Sequence, residues 1–226
     1  MDIVRDFYEN YYSSVFSKRG MSSKFNALTH KALEFRIQKY RATRGAEFEY
    51  SVLEVGAGKG EHFSYVKKPF SDYVMLDILP QPKDLSSFEG ATWIQADICD
   101  PKLDLGKFDR IISMCVFHHL SEPALAMENV KKSLKTGGVF SLFLPSDPGV
   151  LNRIVRKLFV TPNTKRLGFE YYELVNAREH RNHYWGLRKE LEYQFQDFKI
   201  SKRYYPFGIQ AGNLSLFSIW HIKKID

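Results

Sequence analysis

Ser51-Val52-Leu53-Glu54-Val55 is a short apolar run that breaks into Gly56-Ala57-Gly58-Lys59-Gly60, and this junction constrains the chain more than any other feature. A strand ending in glycines lets backbone approach a ligand closely, with the N–H groups of the following turn facing it. The spacing is G-x-G-x-G. A dinucleotide loop needs glycine or alanine at position 61, where Glu61 stands. A phosphate-cradling P-loop needs Gly-Lys-Ser/Thr after four spacers, and the chain has none. Glu54, just before the first glycine, is awkward beside a pyrophosphate. It suits a ligand that presents an ammonium group, met directly or through a bridging water.

The text around this loop sets the fold class. Tyr73 to Asp77, Thr92 to Gln95, Phe108 to Met114 and Val139 to Leu144 are further short apolar runs, and the last follows a Gly137-Gly138 turn. Helical segments such as Glu122 to Leu134 separate several of them. Near-continuous apolar strands alternating with helices imply a parallel sheet covered on both faces. Residues 1–45 carry helical spacing, at Phe7, Tyr11 and Tyr12 and again at Leu28, Ala32, Leu33, Phe35 and Ile37, with Ser17 to Ser23 as a loop between them. Residues 147–195 read as a helical cap. Residues 198–222 hold two closing strands, joined by Pro206 to Asn213 as an antiparallel pair at the sheet's edge. With no repeat, low-complexity tract or long linker, the 226 residues are expected to form one domain around a 50–145 core.

Two acids give the glycine loop its meaning. Asp77 ends the second run about 20 residues beyond the loop, where an acid meets ribose hydroxyls. Asp97, in Ala96-Asp97-Ile98, ends the third, where it could accept from an adenine amino group. Ligands of open α/β sheets bind outside the carboxyl ends of the strands, so all three acids converge there. Together they describe a nucleoside with an amino-acid-like tail. Turns and caps explain each feature singly, but not their joint order.

On these residues the chain resembles the class I S-adenosylmethionine (SAM)-dependent methyltransferases over most of residues 50–145. The resemblance implies a Rossmann-like, doubly wound sheet of seven strands, mostly parallel, with an antiparallel strand inserted beside the fifth, which the closing pair would supply. It implies SAM as cofactor. Glu54, Gly56, Gly58 and Gly60 match the first motif, Asp77 the ribose acid with Ile78 against the adenine, and Asp97 and Ile98 the adenine-edge motif. Phe108 to Ile112 match the fourth-strand motif, and Met114 to Leu120 would lie beside the sulfonium. There, His119 is a candidate general base and His118 a candidate substrate contact. The competing reading has one histidine packing and the other lining the pocket without chemistry. No metal is expected, because adjacent histidines rarely share an ion and no Cys/His cluster accompanies them.

The acceptor has to be read from residues 147–195. Leu151, Ile154, Val155, Leu158 and Phe159 share one helix face, with Arg153, Arg156 and Lys157 opposite. This reads as a cap helix packed by its apolar side, with peripheral membrane contact as the alternative. In Ala177 to Trp185, a continuous helix would put His180 with Tyr184 and Glu179 with His183. Arg178 and Arg181 would clamp an anion, His180 and Tyr184 contact substrate, and His183 serve as a second candidate base. A surface helix laced by salt bridges is the plainer alternative. Leu144 to Gly149 and Arg178 to His183 resemble methyltransferases of bacterial surface-polysaccharide biosynthesis, implying a sugar, sugar phosphate, phosphoramidate or lipid-linked glycan as acceptor.

The formal charge of +7 can steer anionic ligands such as phosphates, nucleotides, nucleic acid or lipid surfaces, and the expected acceptor is a small, anionic molecule. No DNA partner is expected, since the Asn/Asp-Pro-Pro-Tyr/Phe signature is missing after the fourth strand. RNA and lipid headgroups stand as alternative acceptors, the former without an RNA-binding module to support it. A non-catalytic cofactor-binding protein is the alternative from another class. Two cysteines and no apolar stretch of signal or membrane-span length lead to the expectation of a reduced, cytoplasmic protein. The sequence leaves the oligomeric state open.

Overall fold

The computed structural model describes residues 2–16, 21–35, 37, 49–67, 69–83 and 85–225. The strands are β1 (Val52–Val55), β2 (Tyr73–Asp77), β3 (Ala91–Gln95), β4 (Phe108–Met114), β5 (Leu134–Pro145), β6 (Lys199–Tyr205) and β7 (Phe217–Lys223). They form one seven-stranded sheet in the order β3-β2-β1-β4-β5-β7-β6. The first five pair in parallel, and β7 lies antiparallel between β5 and β6. This is the doubly wound sheet with an antiparallel closing strand that the sequence implies. The order reverses between β1 and β4, which puts a ligand crevice at their carboxyl ends.

The helices are α1 (Ile3–Asp6), α2 (Tyr12–Phe16), α3 (Met21–Glu34), α4 (Pro123–Ser133), α5 (Val150–Val155), α6 (Thr161–Arg166), α7 (Tyr172–Glu179) and α8 (Tyr184–Gln194). The loop expected from Ser17 is partly helix, since α3 starts at Met21, and residues 17–20 lie outside the described set, as does most of 36–48. Alternation along β1 sends Leu53 and Val55 into one core layer with α4 and α8 residues, among them Val130 and Leu191. Val52 goes to the other layer, under Ala32 and Leu33 of α3. A third cluster joins Phe7 and Val15 to Phe169, Tyr172 and Val175, so the amino-terminal helix docks on the cap. The separate readings of residues 1–45 and 147–195 did not contain that contact.

A buried polar network ties α3 to the sheet. Arg110 donates twice to Glu34, at 3.0 and 2.6 Å. His62 meets Glu34 at 2.9 Å and His30 at 2.8 Å. Burial opposes it, but Arg110 and His62 hold the Glu34 carboxyl down to about 2. Asp109 accepts from the Ser51 backbone at 3.0 Å and from Lys135 at 2.8 Å. It therefore braces the amino ends of β1 and β4, away from the crevice.

The cap departs from expectation at its first helix. Ile154, Leu158 and Phe159 are 47%, 61% and 46% exposed, whereas Arg156 turns inward to Asp147 at 2.8 Å. Residues Arg156–Val160 form a π-helical turn, whose wider repeat shifts the register that a regular helix would keep. Leu158 and Phe159 on that turn face outward, as does Ile154 before it, while Leu151 and Val155 are half-buried. Among the described residues, no helix is long and apolar enough to cross a membrane.

Candidate cofactor and acceptor site

The glycine loop folds back on the end of β2. Gly56 N–H donates to the Leu76 carbonyl at 2.7 Å and Gly60 N–H to that of Ala57 at 2.8 Å. Two of the glycines have distinct jobs. A Cβ on Gly56 (φ +69°) would run into the Val116 side chain, so glycine is required for the loop to pack against the β4 turn. Gly58 (φ +56°) has nothing within 4 Å of where a Cβ would stand, which is the open floor a ligand needs.

Asp77 rims that floor. Its Oδ2 accepts from Gly58 N–H at 2.7 Å and its Oδ1 from Leu79 N–H at 2.9 Å. A carboxylate offers about four lone-pair sites, so both oxygens keep capacity for the two hydroxyls of a ribose. Ile78 is 64% exposed, a free apolar surface for a base, and Asp97 is exposed nearby with Oδ1 fixed by Cys99 N–H at 2.8 Å. Met114 is half-buried at the end of β4, followed by exposed Cys115 at φ +56°. A non-glycine residue in the left-handed region marks a strained turn. Tyr8 and Tyr12 lie near Cys115, which brings the amino-terminal segment to this edge.

Two of the expected cofactor contacts are placed differently. Glu54 is 2% exposed and accepts from the Tyr73 hydroxyl at 2.6 Å. It lies on the α3 face, and burial pushes its carboxyl up, which weakens it as a partner for an ammonium group. Ile98, at 4% exposure, belongs to the core with Leu53, Val55 and Phe117. Its side chain supports the site without lining it. Fit to SAM therefore rests on the loop, Asp77, Ile78 and Asp97.

The second half of the site joins the β4 turn to the cap. Asn182 donates to the carbonyls of Phe117 and Leu120 at 3.2 and 2.6 Å, holding the histidine turn in place. His119 Nδ1 lies 3.0 Å from the Glu179 carbonyl. His118, His119 and His180 pack ring to ring with centroids 4.0, 4.3 and 5.1 Å apart. His180 Nδ1 is hydrogen-bonded to Asp147, which also pairs with Arg156 and accepts from Asn176 at 3.1 Å. Burial alone would raise the Asp147 carboxyl, but His180 and Arg156 hold it well below its usual range. Burial, with His180 facing it, lowers His119 to about 4. Beside these groups opens a cavity of about 260 Å³, lined among others by Arg153, Arg156, Asn176, His180 and His183.

The continuous helix expected across 177–185 is broken. α7 ends at Glu179 and α8 starts at Tyr184, with His180 and His183 as their flanking residues. The pairing of His180 with Tyr184 on one face therefore fails. Tyr184 turns into the core cluster beside Ser218 and Tyr204, and Arg178 and Arg181 stand exposed and do not line the cavity. Asp147, Arg156 and Asn176 were missed. The signal for Asp147 was available, since it follows the fifth strand as Asp77 and Asp97 end or follow theirs.

Residues 53–142 match the family described as a methyltransferase domain. Among solved structures, the plantazolicin methyltransferase BpumL in complex with a monoazolic desmethylPZN analog and S-adenosylhomocysteine (SAH) is 16% identical. The match covers 98% of this chain and 94% of that one, with TM-score 0.66. The N-methyltransferase NodS from Bradyrhizobium japonicum WM9, in complex with SAH, is 12% identical over 100% of both chains, with TM-score 0.62. The CurJ carbon methyltransferase is 18% identical, with TM-score 0.61, over 87% of this chain and 54% of its own. The chain thus spans about half the length of that last relative. At such identities the likeness is one of fold. No curated protein sequence matches. The domain match falls on the stretch of chain that carries the glycine loop and its acids.

Proposed function

We propose that this chain is a SAM-dependent methyltransferase that passes the methyl group of SAM to an oxygen or nitrogen of a small anionic acceptor held in the cavity of the cap. The observation that carries this reading is the cavity itself. At about 260 Å³ it is somewhat smaller than a drug-sized pocket, and matches a single sugar or phosphoryl group. Its acids are already engaged, Asp147 by Arg156 and His180, and Glu173 by the Thr161 hydroxyl at 2.7 Å. Arg153 and His183 remain on the lining to meet an incoming anion. A sugar phosphate, phosphoramidate or other phosphorylated glycan has the required chemistry.

Bound SAM supplies a methyl already activated by positive sulfur, so the chain's task is alignment and exclusion of water. Gly58 and Asp77 fix the nucleoside, Ile78 and Asp97 its base. Met114 and the β4 turn border the methyl. Tyr8 and Tyr12 close the outer side. As the acceptor lone pair forms its bond to the methyl carbon, the sulfur–carbon bond breaks and SAH leaves. The acceptor proton goes to solvent or to His183. His119 donates Nδ1–H to the Glu179 carbonyl, but a group lowered to about 4 is a weak base at neutral pH. Its role is therefore contact and alignment more than proton abstraction.

SAH release measured over a panel of sugar phosphates and their neutral counterparts tests the reading. Phosphorylated acceptors should turn over, and Arg153→Ala should raise their KM about 10-fold with SAH affinity unchanged. Equal turnover of neutral and phosphorylated acceptors by both proteins contradicts it. The outward stripe of Ile154, Leu158 and Phe159 beside Arg153 and Lys157 favours a second reading, an acceptor carried on a lipid. Co-sedimentation with anionic but not neutral vesicles would distinguish it.

A further inference from the structure

The geometry points to a three-histidine metal site, formed by His118, His119 and His180, that takes a divalent transition-metal ion with Zn²⁺ as the expected occupant. One ligand atom of each side chain lies within 4.8 Å of those of the other two. Zinc binds imidazole nitrogen at about 2.0–2.1 Å, which puts tetrahedral ligands about 3.4 Å apart. Modest side-chain rotations close the remaining gap.

Hydrogen bonding prepares two of the rings. A carbonyl oxygen only accepts, so the Glu179 contact keeps the proton of His119 on Nδ1 and leaves Nε2 with its lone pair. Asp147 does the same for His180, and is itself held by Arg156 and Asn176. A carboxylate or carbonyl behind the far nitrogen is the arrangement that orients metal-binding histidines. The third ring carries the independent sign. His118 is 3% exposed, and its Nδ1 has no hydrogen-bond partner. An orphaned buried nitrogen is costly, and coordination through it removes the cost. Burial and the facing rings hold His118 well below its usual value, so it stands neutral, as a ligand must. Asp147 and the Glu179 carboxylate, the latter 4.0 Å from His119 Nδ1, offset the added charge.

Three protein ligands leave a fourth position open, the mark of a catalytic zinc rather than a structural one. His180 also lines the acceptor cavity. On the methyl-transfer reading, that position would take the acceptor oxygen and ease loss of its proton, the step for which His119 alone is poorly suited.

The test uses full-length protein stripped with chelator, then titrated with Co²⁺ followed by absorption and with Zn²⁺ followed by calorimetry. One ion per chain is expected, with visible bands of tetrahedral Co²⁺ that Zn²⁺ abolishes. His180→Ala should lose at least about 100-fold in affinity, and Asp147→Asn about 10- to 100-fold, whereas His183→Ala should bind as the parent does. SAH affinity, measured on every variant, reports folding, and half-buried His180 is the variant of choice should His118→Ala fail to fold. Absence of saturable binding, or binding that survives His180→Ala, overturns the site and identifies the cluster as packed neutral imidazoles. Methyl transfer would be untouched by that result, since the cofactor seat shares none of the three histidines.

Discussion

Two groups of imidazoles occupy this fold, and they are built on opposite principles. His30, on α3, and His62, packed against it, are each consumed by protein: His62 by Glu34 and His30, and Glu34 in turn by both arms of Arg110. His30 also stacks on Tyr65 at 4.8 Å. His118, His119 and His180 lie at the carboxyl end of β4, with one nitrogen unpartnered and a cavity alongside. His30, His62 and His118 are buried, and His119 and His180 are half-buried. What separates structure from function is spare bonding capacity next to space.

The sharpest break between the two is stability. Glu34→Ala leaves Arg110 buried without its carboxylate and should cost about 3–5 kcal/mol in urea denaturation. A loss below about 1 kcal/mol would reduce the α3 network to a solvated contact. Acid is the one respect in which the clusters should agree. His30 and His221, on the α3 face, are lowered to about 4 by burial, as His119 is on the other side. The folded state then binds protons more weakly than the unfolded chain. Stability is full above about pH 6.5, falls as pH drops toward 4, and levels there. Each such group contributes up to about 2 kcal/mol between pH 6.5 and 5, and denaturation midpoints that stay flat over that window would contradict their burial as neutral rings. Glu34 adds its loss only below its unfolded value near 4.5. The smallest effect belongs to His180→Ala. Asp147 keeps Arg156 and Asn176, so about 1 kcal/mol or less is expected. A loss as large as that of Glu34→Ala would move His180 into the structural class.

The residues proposed for the cofactor half can be singled out in the sequence because their information is local. Strand, glycines and strand-end acids lie within residues 51–97, and β-strand periodicity with turn chemistry is enough to place them. Even there, Glu54 and Ile98 were misplaced, because which face of β1 is covered by α3 depends on partners far along the chain. The acceptor half depends on such pairings throughout. Asn182 reaches Phe117 across 65 residues. A π turn leaves Leu158 and Phe159 exposed, and the break at residues 180–183 separates His180 from Tyr184. Helical periodicity assumes an unbroken helix, so it could anticipate neither.

Calorimetric titration with SAH bears most directly on the central claim, that the floor at Gly58 and the rim at Asp77 seat SAM. The parent protein should bind one SAH per chain. Gly58→Val, which meets no protein atom within 4 Å at its Cβ yet projects into the crevice, should abolish that binding at a modest cost in stability of about 1–2 kcal/mol. A parent that fails to bind SAH, or a folded Gly58→Val variant that binds it with undiminished affinity, would contradict the account.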